Sequence, residues 1–250
     1  MNARTIVGTM GGIITFMALL PFYLLLAFPI IFFPPAIRFK SRWFYGVNSF
    51  FARLVLRATG LRLQVENAGK LEILKNTPAI IVLNHQSLID AVVVEMLLGS
   101  QPRITFSNDY SSKPLFGLLL ERMHVIVRRA TARSSQAALD KAAGLANNYG
   151  NHIVIFPEGT RHADGKIHKF YRGFTVLAVQ LNRPVVPIFL YGLHQAMPKG
   201  SCSIKVPDND VLIRIGDSFV FNEALETREE FLEKVHNWFT LECGRVNPNQ

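Results

Sequence analysis

From Thr5 to Ile37 the chain carries no charged residue. A bilayer is crossed by about 20 apolar residues in a helix, so residues 6–33 are long enough to span one. The run exceeds a signal-peptide core and has no convincing small-residue cleavage site, so it is expected to stay attached. Pro21, Pro29 and Pro34-Pro35 interrupt it. A proline inside a helix removes a hydrogen bond and kinks the axis. Two geometries compete: one tilted span, or a helical hairpin that dips into one leaflet and returns. Any water-soluble core has to be built from the residues beyond this run.

The charge pattern supports a lipid contact. Of the net +9, seven cations (Arg4, Arg38, Lys40, Arg42, Arg53, Arg57 and Arg62) lie before residue 66, where there is no carboxylate. A nucleic-acid-binding face would put its charge on the folded domain itself. Here the charge flanks the apolar run and suits anionic head groups, so membrane lipids are expected partners and nucleic acid is not. Trp43-Phe44-Tyr45 and Phe50-Phe51, interleaved with Arg53 and Arg57, suit a helix lying in the interface. More cations follow the apolar run than precede it, which places the rest of the chain on the cytoplasmic face of the inner membrane. Cys202 and Cys243 form neither a metal-ligand spacing nor a disulfide framework, as expected of a reducing compartment.

Past residue 60 the pattern alternates. Short apolar, β-rich runs fall at 61–65, 79–83, 104–107, 125–127, 152–156, 185–191 and 211–215. Helical stretches lie between them at 91–98, 115–123, 135–149 and 173–181. A last one opens on Thr227-Arg228-Glu229-Glu230, a capping-box pattern, and carries Phe231, Val235, Trp238 and Phe239 at helical spacing. Strands alternating with helices predict an α/β fold with a mixed, largely parallel sheet flanked by helices. The expected division is a membrane anchor with an interfacial helix over 1–59 and a second domain over 60–250.

Polar motifs sit where the strands end, which is where α/β sheets carry their sites. Asn84-His85-Gln86-Ser87-Leu88-Ile89-Asp90 follows the run 79–83. Histidine titrates near neutrality and can take a proton from an alcohol; a carboxylate one turn on can fix its tautomer and stabilise the imidazolium. Phe156-Pro157-Glu158-Gly159-Thr160-Arg161 follows another apolar run, and an arginine fork suits bidentate capture of phosphate. Val127-Arg128-Arg129 places further cations at a strand end, and Val185-Val186-Pro187-Ile188 is an apolar strand broken by proline. Taken singly, each has a structural explanation: a satisfied histidine, a Glu158–Arg161 pair, a solvated basic face. Their shared position and order beside a lipid anchor argue for one site.

Over residues 60–200 these motifs resemble the lysophospholipid acyltransferases related to bacterial 1-acyl-sn-glycerol-3-phosphate acyltransferase. The Asn84–Asp90 stretch matches the family's N-H-x-S-x-x-D, and residues 156–161 match F-P-E-G-T-R in full. Val125-Ile126-Val127-Arg128 looks like F-I-x-R, and Val186-Pro187-Ile188 matches V-P-[IV]. The resemblance implies transfer of a fatty acyl group from a thioester, on coenzyme A or acyl carrier protein, to the free hydroxyl of a lysophospholipid. It implies no cofactor beyond that co-substrate and no metal. His85 would be the general base and Asp90 its orienting carboxylate. Arg128, Glu158, Gly159, Thr160 and Arg161 would hold the acceptor's glycerol phosphate, with Arg172 also serving the phosphate. Backbone N–H groups near the helix after Asp90 are expected to help hold the thioester oxyanion.

The chain departs from the family pattern at Val125, often aromatic there; at His162, often small and polar; and at Tyr171, often lysine. These positions surround the acceptor pocket. Lysophosphatidate is the expected acceptor, with another lysophospholipid or a lyso-ornithine lipid as the alternative. A serine lipase would need a G-x-S-x-G elbow, and none occurs. A metal hydrolase drawing on His85, Asp90, Glu158 and His162 would lack short-spaced paired ligands. A lipid-binding protein without catalysis would have no physical need for a base–carboxylate pair. His124, His152, His168, His194 and His236 are read as structural or surface residues.

Overall fold

The computed structural model describes residues 3–99, 102–107, 116–127, 131–201 and 203–247. The anchor comprises α1 (Ala3–Leu26), a 3-10 turn (Phe28–Phe32), α2 (Pro35–Arg38) and α3 (Arg42–Ala58). Then come β1 (Leu63–Glu66), a second 3-10 segment (Ala68–Lys75), β2 (Ile80–Leu83), α4 (Ile89–Leu98), β3 (Pro102–Ser107), α5 (Phe116–Met123), β4 (Val125–Val127), α6 (Ala132–Tyr149) and β5 (His152–Ile155). The chain closes with α7 (Gly173–Leu181), β6 (Val185–Tyr191), α8 (Leu193–Ala196), β7 (Val211–Ile215) and α9 (Arg228–Val246). The expected C-terminal capping box is present: Thr227 Oγ1 accepts from Glu230 N–H while the Glu230 carboxylate accepts from Thr227 N–H.

The strands form one sheet in the order β1-β7-β6-β2-β5-β3-β4. β6, β2, β5, β3 and β4 run parallel; β7 is antiparallel to β6, and β1 is parallel to β7. From β2 the chain goes to β3 on one side, and from β5 it goes to β6 on the other, so its direction of winding reverses around β2 and β5. In open α/β sheets such a reversal is where ligands bind, beyond the carboxyl ends of the central strands. Ile80–Leu83 is buried throughout, as a strand covered on both faces must be. Ile81 and Leu83 join the apolar cluster that includes α4 residues Val93 and Val94, and Ile80 and Val82 join the opposite cluster with α6, α7 and α9.

The anchor is layered on the first of these faces. α3 packs on α4, and α1 packs on α3. α1 runs antiparallel to α3: a Cβ at Gly11 would lie 2.5 Å from Ala58 O and one at Gly8 2.7 Å from Thr59 O, while Tyr23 rests edge-on against Phe51. Thr9 adds a reciprocal pair, its hydroxyl bonding Ile204 C=O at 3.0 Å and Ile204 N–H at 2.9 Å. Pro21 does not interrupt α1, which continues to Leu26; the break falls at Pro29 and Pro34-Pro35, each proline-led turn starting with its missing N–H at an unneeded position. The cations of this region are not all lipid-facing as the charge pattern suggested. Arg38 is buried over the Phe39 ring, Arg53 donates to Met96 C=O, and Arg62 pairs with Asp210.

A buried polar seam joins anchor to sheet. Arg103 on β3 is fully buried and donates to Asn151 Oδ1, Met123 C=O and Phe39 C=O, with Phe39 and Tyr45 rings stacked on its guanidinium. Beside it, Tyr23 Oη donates to Asn48 Oδ1, and Asn48 Nδ2 donates to Glu95 Oε2 at 3.4 Å. Glu95 Oε1 has no hydrogen-bond partner, and burial pushes this carboxyl from 4.5 up to about 7. A raised carboxyl stabilises the fold fully below its unfolded value near 4.5, and that contribution is lost as pH climbs through 7. The shift corresponds to about 3 kcal/mol. Glu95→Gln, which cannot ionise, should therefore melt higher than the native chain at pH 8 by roughly 6–12 °C, the gap closing toward pH 4.5. Parallel melting curves across that range would show that Glu95 is accommodated as a carboxylate.

Candidate active site

β2 and β5 are adjacent and parallel, with Ile80 opposite Ile153 and Val82 opposite Ile155, a constant offset of 73 residues. Extended past the strand ends, that register sets His85 beside Glu158. The contact is made: His85 N–H donates to Glu158 Oε1 at 2.9 Å, and His162 N–H donates back to His85 C=O at 3.0 Å. On the other side of β2, Asn84 closes against β6 with two 2.8 Å bonds, Nδ2 to Leu190 C=O and Leu190 N–H to Oδ1. The loop is thus held by the Asn84 side chain against β6 and by both main-chain groups of His85 against the loop after β5.

Within the loop, Asp90 is fully buried in the first turn of α4. Its Oδ2 accepts three bonds: from His85 Nδ1 at 2.7 Å, Gln86 N–H at 2.7 Å and Ser87 N–H at 2.9 Å. A carboxylate at a helix N-terminus is favoured by the dipole and by these orphan donors. The bond to Nδ1 fixes the tautomer and leaves Nε2 as the nitrogen available to a ligand. Phe156 lies flat on the imidazole, ring centroids 4.2 Å apart, and the His85 side chain stays 22% exposed. An oriented, reachable imidazole backed by a buried carboxylate can accept a proton from an alcohol.

The second loop is a β-turn from Phe156 to Gly159, closed by Gly159 N–H to Phe156 C=O. Pro157 takes the second position, as its fixed φ suits, and Gly159 the fourth at φ +74°. This turn sends Glu158 inward, so it does not pair with Arg161. Glu158 Oε2 is buried without a hydrogen-bond partner, 3.9 Å from His162 Nε2. Burial, only partly offset by the backbone N–H bonds it accepts, pushes Glu158 up to about 8. Burial therefore favours its neutral form and lessens the negative charge beside an anion site. Thr160 is exposed and accepts from Lys199 Nζ at 2.9 Å; Arg161 is half-buried beside it. Tyr171 N–H bonds Pro157 C=O, which brings exposed Arg172, at the start of α7, back to this loop. Arg128 and Arg129 lie outside the described residues, just past the end of β4.

The remaining histidines fit the structural reading. His124 and His152 accept backbone N–H bonds from Ile104 and Ala79 through Nδ1, and burial lowers them to about 3 and about 4, so they stay neutral. The rival metal set does not converge: among the described residues no three of His, Cys, Asp and Glu gather as a metal site. The loop before α4 spends its own donors internally. The N–H groups of Gln86 and Ser87 go to Asp90, that of Ile89 to Ser87 Oγ, and that of His85 to Glu158, so an oxyanion donor on this loop would have to come from the first turn of α4 beyond Ile89. Pro187 does not break its strand: β6 runs from Val185 to Tyr191, paired on both sides. The sequence motif names Asn84 and Ser87 without a role and does not reach Lys199; their partners lie 106, 110 and 39 residues away.

Comparison with known proteins agrees with this geometry. A 1-acyl-sn-glycerol-3-phosphate acyltransferase of Pseudomonas aeruginosa is 27% identical over 88% of this chain and 84% of its own length. Proteins of that name from Cocos nucifera and Brassica napus (the latter chloroplastic) are 30% and 33% identical over about half of this chain, but the chain spans only 42% and 36% of their lengths. The crystal structure of the 1-acyl-sn-glycerophosphate (LPA) acyltransferase PlsC from Thermotoga maritima shares the fold, with a TM-score of 0.78 over 99% of both chains at 20% identity. A family model described as Acyltransferase matches residues 62–191, more than half of the sequence and both polar loops. This chain belongs to the acyltransferase family.

Proposed function

We propose that the chain transfers a fatty acyl group from acyl-coenzyme A or acyl carrier protein to the sn-2 hydroxyl of 1-acyl-sn-glycerol-3-phosphate, yielding phosphatidate. The observation that carries this reading is the partly exposed His85 imidazole, backed by buried Asp90 and set against the Glu158–Arg161 loop by strand register. Nε2 takes the hydroxyl proton as the acceptor oxygen attacks the thioester carbonyl. The tetrahedral intermediate collapses, the C–S bond breaks, and the imidazolium returns the proton to the departing thiolate. The thioester is already activated, so no acyl-enzyme is needed. Arg161, with Arg172 and Arg128, supplies cations for the acceptor phosphate; Gly159 and Thr160 shape the loop, and neutral Glu158 holds His85 by its main chain.

Residues 1–59 act in this reading as the anchor and 60–250 as the transfer domain. The apolar run Thr5–Phe32 has mean hydropathy 2.3 and only 6% of its most apolar window is buried. Gly8, Gly11 and Thr9 hold α1 along the domain, which supports a helix lying within one leaflet rather than a span across both. Ile14, Phe22, Leu25 and Phe32, with Trp43 and Phe50 of α3, would sit in that leaflet on the cytoplasmic face of the inner membrane. Extracting a lipid chain into water costs about 0.8 kcal/mol per methylene, and docking the site at the interface avoids it.

The test is an acyl-transfer assay of the purified chain in lipid, with both donors, against lysophosphatidate, zwitterionic lysophospholipids and lyso-ornithine lipid. Lysophosphatidate should give the highest kcat/KM. Arg161→Ala should raise the acceptor KM by roughly 10- to 100-fold, the worth of a charge-assisted bond, while kcat changes little. An unchanged acceptor KM would remove Arg161 from the phosphate site, and preference for another head group would overturn the acceptor assignment.

A further inference from the structure

We propose that Lys199 is a further cation of the acceptor phosphate site, delivered to the Glu158–Arg161 loop by a separate turn. The proposal rests on the lysophosphatidate reading above and names a residue that neither motif contains. Lys199 and Gly200 form the tip of a turn closed by Ser201 N–H to Pro198 C=O at 3.0 Å. Gly200 sits at φ +87°, the positive value that a type II turn requires at its third residue. The turn is also tied to the catalytic loop, because Ser87 Oγ, three residues before Asp90, donates to Met197 C=O at 2.8 Å. Lys199 is thus held between the His85 loop and the Phe156 loop, where its Nζ reaches Thr160 Oγ1 at 2.9 Å.

The partner is what makes this lysine informative. A structural lysine at a loop junction would be expected to meet a carboxylate, and the nearby Glu158 is turned inward and un-ionised near neutrality. Lys199 instead rests on a neutral hydroxyl, which spends one of its three N–H donors and leaves its charge uncompensated by Thr160. Its field reaches the site: Lys199 is among the charges that keep His162 below its ordinary range, after burial and the stacked His168 ring. Phosphate attached to the glycerol of a lipid carries between one and two negative charges, and a cation on the Thr160 side adds to the arginines already assigned to it. Arg161 follows Thr160 in the chain and Lys199 reaches the Thr160 hydroxyl from a separate turn, so an anion bound at this loop would draw on a guanidinium fork and an ammonium.

Lys199→Gln keeps a donor for Thr160 and removes the charge. In the full-length chain it should raise the KM for lysophosphatidate roughly tenfold, with kcat within about twofold, and Lys199→Arg should restore most of the loss. The Ki of soluble glycerol 3-phosphate against lysophosphatidate should rise in parallel, and the KM for the thioester donor should not move. Unchanged KM in Lys199→Gln, where Arg161→Ala raises it, would overturn the role of Lys199 and leave the acceptor site standing. A fall in kcat at constant KM would overturn it too, by showing a strap between loops. If neither variant moved the acceptor KM, the phosphate reading of this loop would fail with it.

Discussion

Replacing His85 by alanine is expected to lower kcat roughly 10³-fold, within the 10²- to 10⁴-fold range typical of a lost general base, with both KM values nearly unchanged. The folded loop should survive. His85 holds its place through main-chain bonds to Glu158 and His162, and these do not need the ring. Asp90 keeps its two backbone donors, Gln86 and Ser87, when the imidazole is gone. No neighbour can take over the proton. Glu158 is pushed toward its neutral form by burial and engaged with the His85 main chain, and His162 is stacked on His168 at 3.6 Å, with Glu158 Oε2 at 3.9 Å, beyond hydrogen-bond reach. The experiment is steady-state acyl transfer with the native and variant chains at equal lipid loading, accompanied by circular dichroism. A variant with native spectra and turnover within tenfold of native would sink the general-base mechanism.

Much of this site is legible in the sequence because local patterns carry it. Ile80–Leu83 and His152–Ile155 read as buried strands since each is apolar on both faces, and their ends coincide with the polar motifs. The capping box at Thr227 announces α9 within a residue. What stays hidden depends on contacts between distant segments. The offset that sets His85 against Glu158 is a property of the β2–β5 register, which no local window contains. Arginine is almost never fully buried unless paired, yet Arg103 is, because acceptors from three segments distant in sequence satisfy its guanidinium. Arg38 reads as a lipid-facing cation and is buried, again through contacts that its neighbours in sequence do not reveal. That Asp90 folds back onto the N–H groups of Gln86 and Ser87 as well as the His85 ring is likewise invisible in the motif's spacing alone. Pro21 reads as a break in α1, but losing one hydrogen bond on a helix fastened at Gly8, Thr9 and Gly11 at one end and Tyr23 at the other does not stop it.

Asp90→Asn should lower kcat by about 10²-fold without changing acceptor or donor KM. The two groups are nearly the same shape, and asparagine can place its carbonyl oxygen where Oδ2 now accepts from His85, Gln86 and Ser87. Geometry and tautomer then persist, and what is lost is the charge that stabilises the imidazolium as the proton arrives. A hydrogen bond to a charged partner is worth about 1.5–3 kcal/mol, whose upper end in this buried position corresponds to the stated factor. The amide nitrogen would replace Oδ1, which is already buried without a partner, so the structural penalty should be modest and the fold retained. The decisive measurement is the double variant. If Asp90 acts only through the imidazole, removing the carboxylate charge from a chain that already lacks His85 should cost little more activity. Additive losses, or a rise in KM in the single variant, would mean that Asp90 contributes to binding or to the loop independently of the histidine it holds.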